Sequence, residues 1–197
     1  MTDFHATVKS RFFAAAALAT SKDKGRPYLQ GVYIEPSTTN GGVNIFATDG
    51  RVLFFAHDED ATASRAALVM PPAHKMAKKW MKVGTLELDS TLAKAGNEIA
   101  DAPEMGRSFP DYRRVMPEQT SGEVAQFNSE YVATMGTIGK VIGCQYPKIY
   151  HNGLDPALVD FGDQPAFGVI MPLRENAHSY YNYDRLLSRV MSVKNER

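Results

Sequence analysis

The sequence predicts an α+β fold built from about three repeats, each running from a short strand through a helix into further strands. Three short strand patterns, near Ala6, Ala66 and Glu123, begin about sixty residues apart, and a helical pattern follows each of them. A recurring order of elements at a fixed spacing is typical of repeat architectures. The chain has 197 residues, 44% of them hydrophobic, which is enough for one or two compact domains with real cores.

Capping residues and apolar spacing place a helix in each repeat. We predict these helices over 10–21, 72–83 and 129–142. Ser10 and Asn128 have side chains that can cap the first and third helices, and Pro72 suits the first turn of the second.

The strands after the first helix are predicted from clear alternation and two strong turns. Residues 28–35 alternate in the period of a strand, and Asn40-Gly41-Gly42 is a hairpin turn into a second strand over 43–47. Asp49-Gly50 is a further hairpin turn, which leads into a strand over 52–55.

The remaining segments have weaker patterns. Residues 90–107 are polar and predict short strands and loops, whereas 184–194 predicts one amphipathic helix in an appended tail. We therefore predict a two-repeat domain over 1–120, a third repeat over 121–174 and a C-terminal tail over 175–197.

Composition limits the function classes. Basic and acidic residues number 22 each, so a polyanion could be bound only by positive charge segregated on one face. The single cysteine, Cys144, excludes an intrachain disulfide and fits a reducing compartment. The apolar run 12–19 does not fit a secretory signal: it is short, Asp3 lies where a signal would be basic, and charged residues follow at 22–24. No stretch approaches the ~20 apolar residues of a membrane span. We expect neither a signal peptide nor a membrane partner.

No catalytic constellation emerges from the residues. Asn40-Gly41-Gly42 fits a hairpin turn better than a phosphate-binding loop, and Asp58-Glu59-Asp60 fits a solvated loop better than a cation site, because no further ligands are spaced around it. The five histidines form no metal-ligand spacing with Cys144. We expect no enzyme activity, no cofactor and no metal.

The basic residues recur on or beside the predicted helices. Those in the second helix are spaced by three and four, which places them on one face where they could neutralise phosphates without reading bases. An ordinary solvated face would have the same pattern. The candidate DNA-binding residues are Lys9, Arg11, Lys22, Lys24, Lys75, Lys78, Lys79, Lys82 and Lys140.

Three motifs carry a resemblance to a known family. They are 26–35 with 47–53, the segment 109–117 (Phe-Pro-Asp-Tyr-Arg-Arg-Val-Met-Pro), and 168–174 (Gly-Val-Ile-Met-Pro-Leu-Arg). In this order they resemble the bacterial DNA polymerase III beta subunit, the replicative sliding clamp. Residues 127–132 also resemble the start of the helix in the second half of its last domain. The resemblance spans roughly residues 4–174, and its most specific motif is 109–117.

The resemblance implies a DNA-clamp fold with helices lining a ring and sheets outside, and no catalysis. It also implies cytoplasmic action on duplex DNA without base specificity, a clamp loader, and docking of polymerases and other factors through a short peptide. An apolar pocket with Met and Pro in its wall suits varied peptides. Carried over by motif, this pocket is lined by Leu29, Thr48, Gly50, Arg51, Leu53, Pro117, Val169, Met171, Pro172, Leu173 and Arg174. Val52 stands where the family usually has Arg, so peptide specificity is expected to differ.

The chain is short for this family. Its first two repeats look like the middle domain and its third like the second half of the last domain. If a closed ring needs twelve repeats, as the family implies, four chains are required, so a homotetramer is favoured, which a phage could encode. Two alternatives remain: a clamp-fold protein that competes for or inhibits a host clamp, loader or polymerase, and an enzyme of unknown type on an α+β scaffold.

Overall fold

The computed structural model describes residues 3–72, 80 and 83–173. The predicted tail and most of the predicted second helix lie outside these ranges.

The described chain forms helices α1 (Ser10–Leu18) and α2 (Ser129–Ile142), twelve strands, and single 3-10 turns at Pro27–Leu29 and Tyr112–Val115. The strands are β1 (His5–Lys9), β2 (Val32–Pro36), β3 (Val43–Thr48), β4 (Val52–Asp58), β5 (Thr62–Ala63), β6 (Ala67–Val69), β7 (Thr85–Asp89), β8 (Leu92–Ala95), β9 (Glu98–Asp101), β10 (Lys148–Tyr150), β11 (Ala157–Asp160) and β12 (Ala166–Ile170).

The strands form two sheets, one of five strands in the order β5-β1-β7-β8-β9 and one of seven in the order β10-β11-β12-β4-β3-β2-β6. The larger sheet joins the third repeat to the first, because β12 pairs antiparallel with β4 and places Val169 opposite Leu53. The mixed architecture matches the α+β prediction, and each hairpin predicted after the first helix is present.

The core lies between the sheets and the two helices, which pack against each other. Helix α1 is almost wholly apolar and buries Phe12 and Phe13, while α2 buries a stripe that includes Met135 and Ile138. Gly168 on β12 allows α2 to approach, since a Cβ there would lie 2.7 Å from the Met135 sulfur. We call the faces of the sheets turned away from α1 and α2 the outer faces.

The strand predicted over 28–35 was wrong for residues 28–31: it begins at Val32, after the 3-10 turn Pro27–Leu29. Two further local predictions were wrong and one was confirmed. Ser10 does not cap α1: it is the first helical residue, and its hydroxyl donates to the carbonyl of Val83. Residues 123–125 form no strand: the Glu123 carbonyl accepts from the Gly153 N–H and the Ala125 N–H donates to the His151 side chain, which is not a strand ladder, and Val124 is 79% exposed. Asn128 does cap α2, with its Oδ1 accepting from the Glu130 N–H at 2.8 Å.

Within the described ranges, no helix is both long enough and apolar enough to cross a membrane.

Candidate functional site

An apolar groove of about 280 Å³ opens on the outer face of the seven-stranded sheet. Four segments meet there: the first 3-10 turn, the β3–β4 turn, the segment 109–115, and the end of β12. The lining residues are Arg26, Tyr28, Leu29, Thr48, Gly50, Arg51, Val52, Leu53, Phe109, Pro110, Asp111, Tyr112, Val115, Val169 and Met171.

The floor of the groove is a row of side chains across three strands. Thr48 on β3 pairs with Leu53 on β4, which pairs in turn with Val169 on β12. Leu53 and Val169 are 3% and 2% exposed, so the floor is packed tightly before anything binds. Such a floor offers apolar contact without needing to rearrange.

The β3–β4 turn shapes one end of the groove. Asp49 Oδ1 accepts from the backbone N–H groups of Arg51 and Val52, both at 2.8 Å. Thr48 Oγ1 accepts from the Gly50 N–H at 3.0 Å and donates to the Val52 carbonyl at 2.7 Å. Gly50 has φ +89°, a left-handed conformation that glycine adopts without strain. Side-chain hydrogen bonds thus fix the turn that presents Arg51.

The opposite wall is a strap, which we define as residues 109–115. Phe109 stacks on Tyr33 with ring centres 5.0 Å apart, and Tyr112 stacks on Phe46 at 4.0 Å. Asp111 accepts from the Arg113 N–H at 3.2 Å and so starts the second 3-10 turn. Two stacked aromatic pairs therefore hold the strap on the sheet.

One polar contact orients the Tyr112 ring. Its hydroxyl donates to Glu35 Oε1 at 3.3 Å. Burial raises the pKa of Tyr112, and the negative charge of Glu35 raises it further. The phenol therefore remains protonated and keeps its donor role at neutral pH.

The groove joins the first repeat to the third through the Arg51 turn. The Met171 N–H donates to the Arg51 carbonyl at 2.8 Å. Arg51 Nη1 donates to the Tyr131 hydroxyl at 2.7 Å, and the guanidinium carbon lies 5.9 Å from the centre of that ring. Both ends of Arg51 thus connect the turn to the third repeat, at β12 and at α2.

The structure brings together most of the pocket residues carried over by motif. Leu29, Thr48, Gly50, Arg51, Leu53, Val169 and Met171 all line the groove. Three others, Pro117, Pro172 and Leu173, are described but are not among its lining residues. Arg174 lies outside the described residues.

Sequence reasoning missed much of the lining. Val52, which the sequence singled out only for specificity, lines the groove, and the residues missed altogether are Arg26, Tyr28, Phe109, Pro110, Asp111, Tyr112 and Val115. The conspicuous motif at 109–117 was the available signal, since its two aromatic residues needed an apolar surface to cover. The pattern gave no means of finding which strands they cover.

The candidate DNA-binding residue Lys9 is already paired. Its Nζ lies 2.8 Å from Asp60 Oδ2 and 3.1 Å from Asp58 Oδ1. The hydrogen bond to Asp60 is the main reason that the pKa of Lys9 is raised. Two carboxylates therefore neutralise this ammonium group, and Lys9 adds little positive potential.

The other basic candidates differ in their accessibility. Lys22, Lys24 and Lys140 are exposed, whereas Arg11 is half-buried, with its Nη1 3.4 Å from the Ile142 carbonyl at the end of α2. Lys75, Lys78, Lys79 and Lys82 lie outside the described residues.

Among the described side chains, no three of His, Cys, Asp or Glu lie together in a way that could hold a metal ion.

Solved structures with the same fold are bacterial DNA sliding clamps. The beta subunit of DNA polymerase III from Bartonella birtlesii, solved with griselimycin bound, is 16% identical with a TM-score of 0.64 over 86% of this chain and 66% of that one. The sliding clamp from C. crescentus is 18% identical, with a TM-score of 0.64 over 86% and 65% of the two chains. That of Bacillus subtilis is 13% identical, with a TM-score of 0.64 over 87% and 64%.

These likenesses show that the chain has the sliding-clamp fold. It spans about two thirds of the length of these neighbours. No protein-family model matches the chain. No curated protein sequence matches it either.

Proposed function

We propose that this chain is a sliding clamp, a processivity factor that encircles duplex DNA as a homo-oligomeric ring and tethers a DNA polymerase and other factors through its apolar groove. In this role it has no catalytic activity and acts in the cytoplasm of a bacterial or phage-infected cell. A clamp loader would open the ring. The observation that carries the proposal is a preformed groove at the junction of two repeats, in a chain with the clamp fold.

The chemistry of the groove suits a short peptide with apolar anchors. Leu29, Leu53 and Val169 supply a rigid apolar surface, and Met171 supplies an adaptable side chain. Arg26 and Arg51 lie among the lining residues, where they can meet carboxylates or carbonyls of the peptide backbone. A groove of about 280 Å³ has room for a few side chains of such a peptide.

Truncation of Met171 should weaken docking without unfolding the chain. Met171 is half-buried at the groove, and its N–H bond to Arg51 is made by the backbone, so Met171→Ala keeps that bond. We expect the Kd of a fluorescein-labelled peptide from the C-terminal tail of a bacterial replicative polymerase to rise by about 5–20-fold. Fluorescence anisotropy measures this change.

The matched control is Leu154→Ala, which truncates a leucine that is 60% exposed and outside the groove. Its peptide affinity should equal that of the wild type. Equal affinity of Met171→Ala and the wild type would contradict the groove assignment, provided that circular dichroism shows both to be folded.

Ring formation is supported by the likeness of the fold to solved sliding clamps. The chain spans about two thirds of the length of those clamps, and we propose that it supplies three repeats of the ring. Four copies of three repeats would supply twelve. In such a ring α1 and α2 face the hole and the groove lies on the outside.

A topological experiment tests the ring. The wild type, loaded on a nicked circular duplex and separated by gel filtration, should remain with the circle and be released when a restriction enzyme linearises it. A clamp-fold competitor of a host clamp would instead bind loader or polymerase components and show no retention on the circle. Retention that persists after linearisation would also contradict encirclement.

A further inference from the structure

The described chain ends beside the groove. Met171 lines the groove, and its N–H bond to the Arg51 carbonyl holds it there. Leu173, the last described residue, donates its N–H to the Gln126 carbonyl at 2.7 Å. The C-terminal tail, residues 175–197, begins four residues after Met171. Four residues span at most about 14 Å, so the tail starts close to the mouth of the groove.

The groove has apolar surface and positive charge that the described chain leaves uncovered. Tyr28 lines the groove but is 40% exposed, and Leu173 is 41% exposed. Arg51 is exposed, and no ion pair between described residues includes it. Arg26, the other cation of the lining, is already paired with Asp23 at 2.9 Å. An occupant with apolar anchors and one carboxylate would therefore complement the groove best.

The tail contains a short segment with this chemistry. Residues 183–187 read Tyr-Asp-Arg-Leu-Leu. Two adjacent leucines, Leu186 and Leu187, can supply the apolar anchors, and Asp184 lies two residues before them. A carboxylate and two anchors within four residues suit a groove of about 280 Å³, which has room for a few side chains.

Attachment to the same chain favours this segment over a free peptide. Leu186 lies thirteen residues beyond Leu173, and thirteen residues can span up to about 45 Å. The length of the chain therefore permits the segment to return to the groove. A linked segment has an effective concentration on the order of 1 mM. If its intrinsic Kd is on the order of 100 µM, the groove is filled about ten times as often as it is empty.

We propose that residues 183–187 dock in the groove of their own chain, with the two leucines on its floor and the carboxylate at Arg51. This inference rests on the proposed peptide groove and adds a resident competitor to it. A partner peptide must displace the tail, which raises the apparent Kd of the partner by about tenfold at the values above. The groove is thus reserved for partners that bind it tightly or that hold the clamp at a second point as well.

Removal of the leucine anchors tests the proposal in the full chain. The double leucine variant, Leu186→Ala with Leu187→Ala, should lower the Kd of the labelled polymerase peptide by about 5–20-fold, because the groove no longer has to be cleared. Neither leucine belongs to the described core, and circular dichroism checks that the variant is folded. The matched control is Val193→Ala, which truncates an apolar residue of the tail outside 183–187 and should bind like the wild type. Fluorescence anisotropy measures all three Kd values.

A synthetic peptide of residues 180–191 tests whether the tail and the partner share one site. Labelled with fluorescein, it should bind the double leucine variant with a Kd on the order of 100 µM and the wild type about tenfold more weakly. Unlabelled, it should displace the labelled polymerase peptide from the double leucine variant.

Mixed oligomers distinguish docking within one chain from docking on a second copy. The double leucine variant is co-expressed with Phe109→Ala, which keeps its tail but loses a wall of its groove. Docking within one chain leaves the grooves of the leucine variant open, so the polymerase peptide should bind them with the same low Kd as before mixing. A Kd raised toward the wild-type value would show that the tails of Phe109→Ala copies reach a neighbour, and would overturn docking in the same chain.

Two further results would overturn the inference. Equal Kd values of the polymerase peptide for the double leucine variant and the wild type exclude tail docking, whatever the free tail peptide does, and leave the proposed groove intact. If neither peptide binds the folded double leucine variant, the groove is not a peptide site, and the proposed docking function fails together with the tail.

Discussion

Replacement of Lys75, Lys78, Lys79 and Lys82 with Glu should reduce binding to duplex DNA by at least about 100-fold at 50 mM salt. Four phosphate contacts release counterions, each lowering the slope of log K against log salt by about 0.9. The slope of the variant should therefore be flatter by about 3.6. The loss of DNA affinity, relative to the wild type, should be greatest at low salt. Anisotropy of a labelled linear 30-base-pair duplex, titrated from 50 to 200 mM salt, measures both quantities.

A large loss of DNA affinity is expected because the described helices have few basic side chains. Along α1 and α2 the basic residues are Arg11 and Lys140, and Arg11 lies beside the Ile142 carbonyl. Lys9 is neutralised by two aspartates. The lysine row is thus the main candidate for phosphate contact.

A matched control changes charge on the outer face. Lys94 lies on β8, is 54% exposed and faces away from the helices. Lys94→Glu should leave the salt slope unchanged. If the four-lysine variant keeps the wild-type slope, or if Lys94→Glu flattens it as much per charge, the assignment of phosphate contact to the lysine row is wrong.

The sequence predicted the fold best where local chemistry decides structure. The turn at Asp49-Gly50 follows from an Asp side chain that bonds its own backbone and a glycine at positive φ, both readable from residue type. Helix α2 has the predicted bounds because Asn128 and Gly143 cap its two ends. The strand predicted at 123–125 is absent because this segment meets 151–153 through irregular bonds, one of them to the His151 side chain, and a strand needs a regular backbone ladder that no local pattern reveals.

The candidate site also depends on contacts between distant residues, which local chemistry does not reveal. Residues such as Leu53 and Met171 could be named only because a resemblance to a family linked distant motifs. Their meeting depends on the β4–β12 pairing, a contact between residues far apart in the chain. The neutralisation of Lys9 by Asp58 and Asp60 depends on the approach of β1 to the end of β4, and the sequence pattern alone favoured a free cation.

The second large effect, a loss of peptide binding, is expected from a substitution in the strap, residues 109–115. Phe109→Ala removes the stack on Tyr33 and the tilted contact with Phe46, at 5.0 and 6.2 Å between ring centres. Aromatic pairs contribute about 0.5–1.5 kcal/mol each beyond the apolar area that they bury. The loss should release the strap locally, because the core on the other face of the sheet keeps its contacts.

Release of the strap should abolish most peptide binding. The strap supplies five of the groove's lining residues, Phe109, Pro110, Asp111, Tyr112 and Val115. If the closed strap becomes the minor state, the apparent Kd rises in inverse proportion to the fraction of molecules that keep the strap closed. We expect an increase of at least about 30-fold, larger than that for Met171→Ala, because a whole wall is lost and not one side chain.

Hydrogen exchange separates this mechanism from general unfolding. The N–H groups of Arg114 and Met116 donate within the strap turn, so their exchange should accelerate in Phe109→Ala while exchange in β3 and β4 stays slow. Phe109→Leu retains apolar area without the stack and should give an intermediate Kd. Unchanged peptide affinity in a variant whose strap amides exchange freely would show that the strap is not a wall of the binding site, and would leave the floor of Leu53 and Val169 to account for docking.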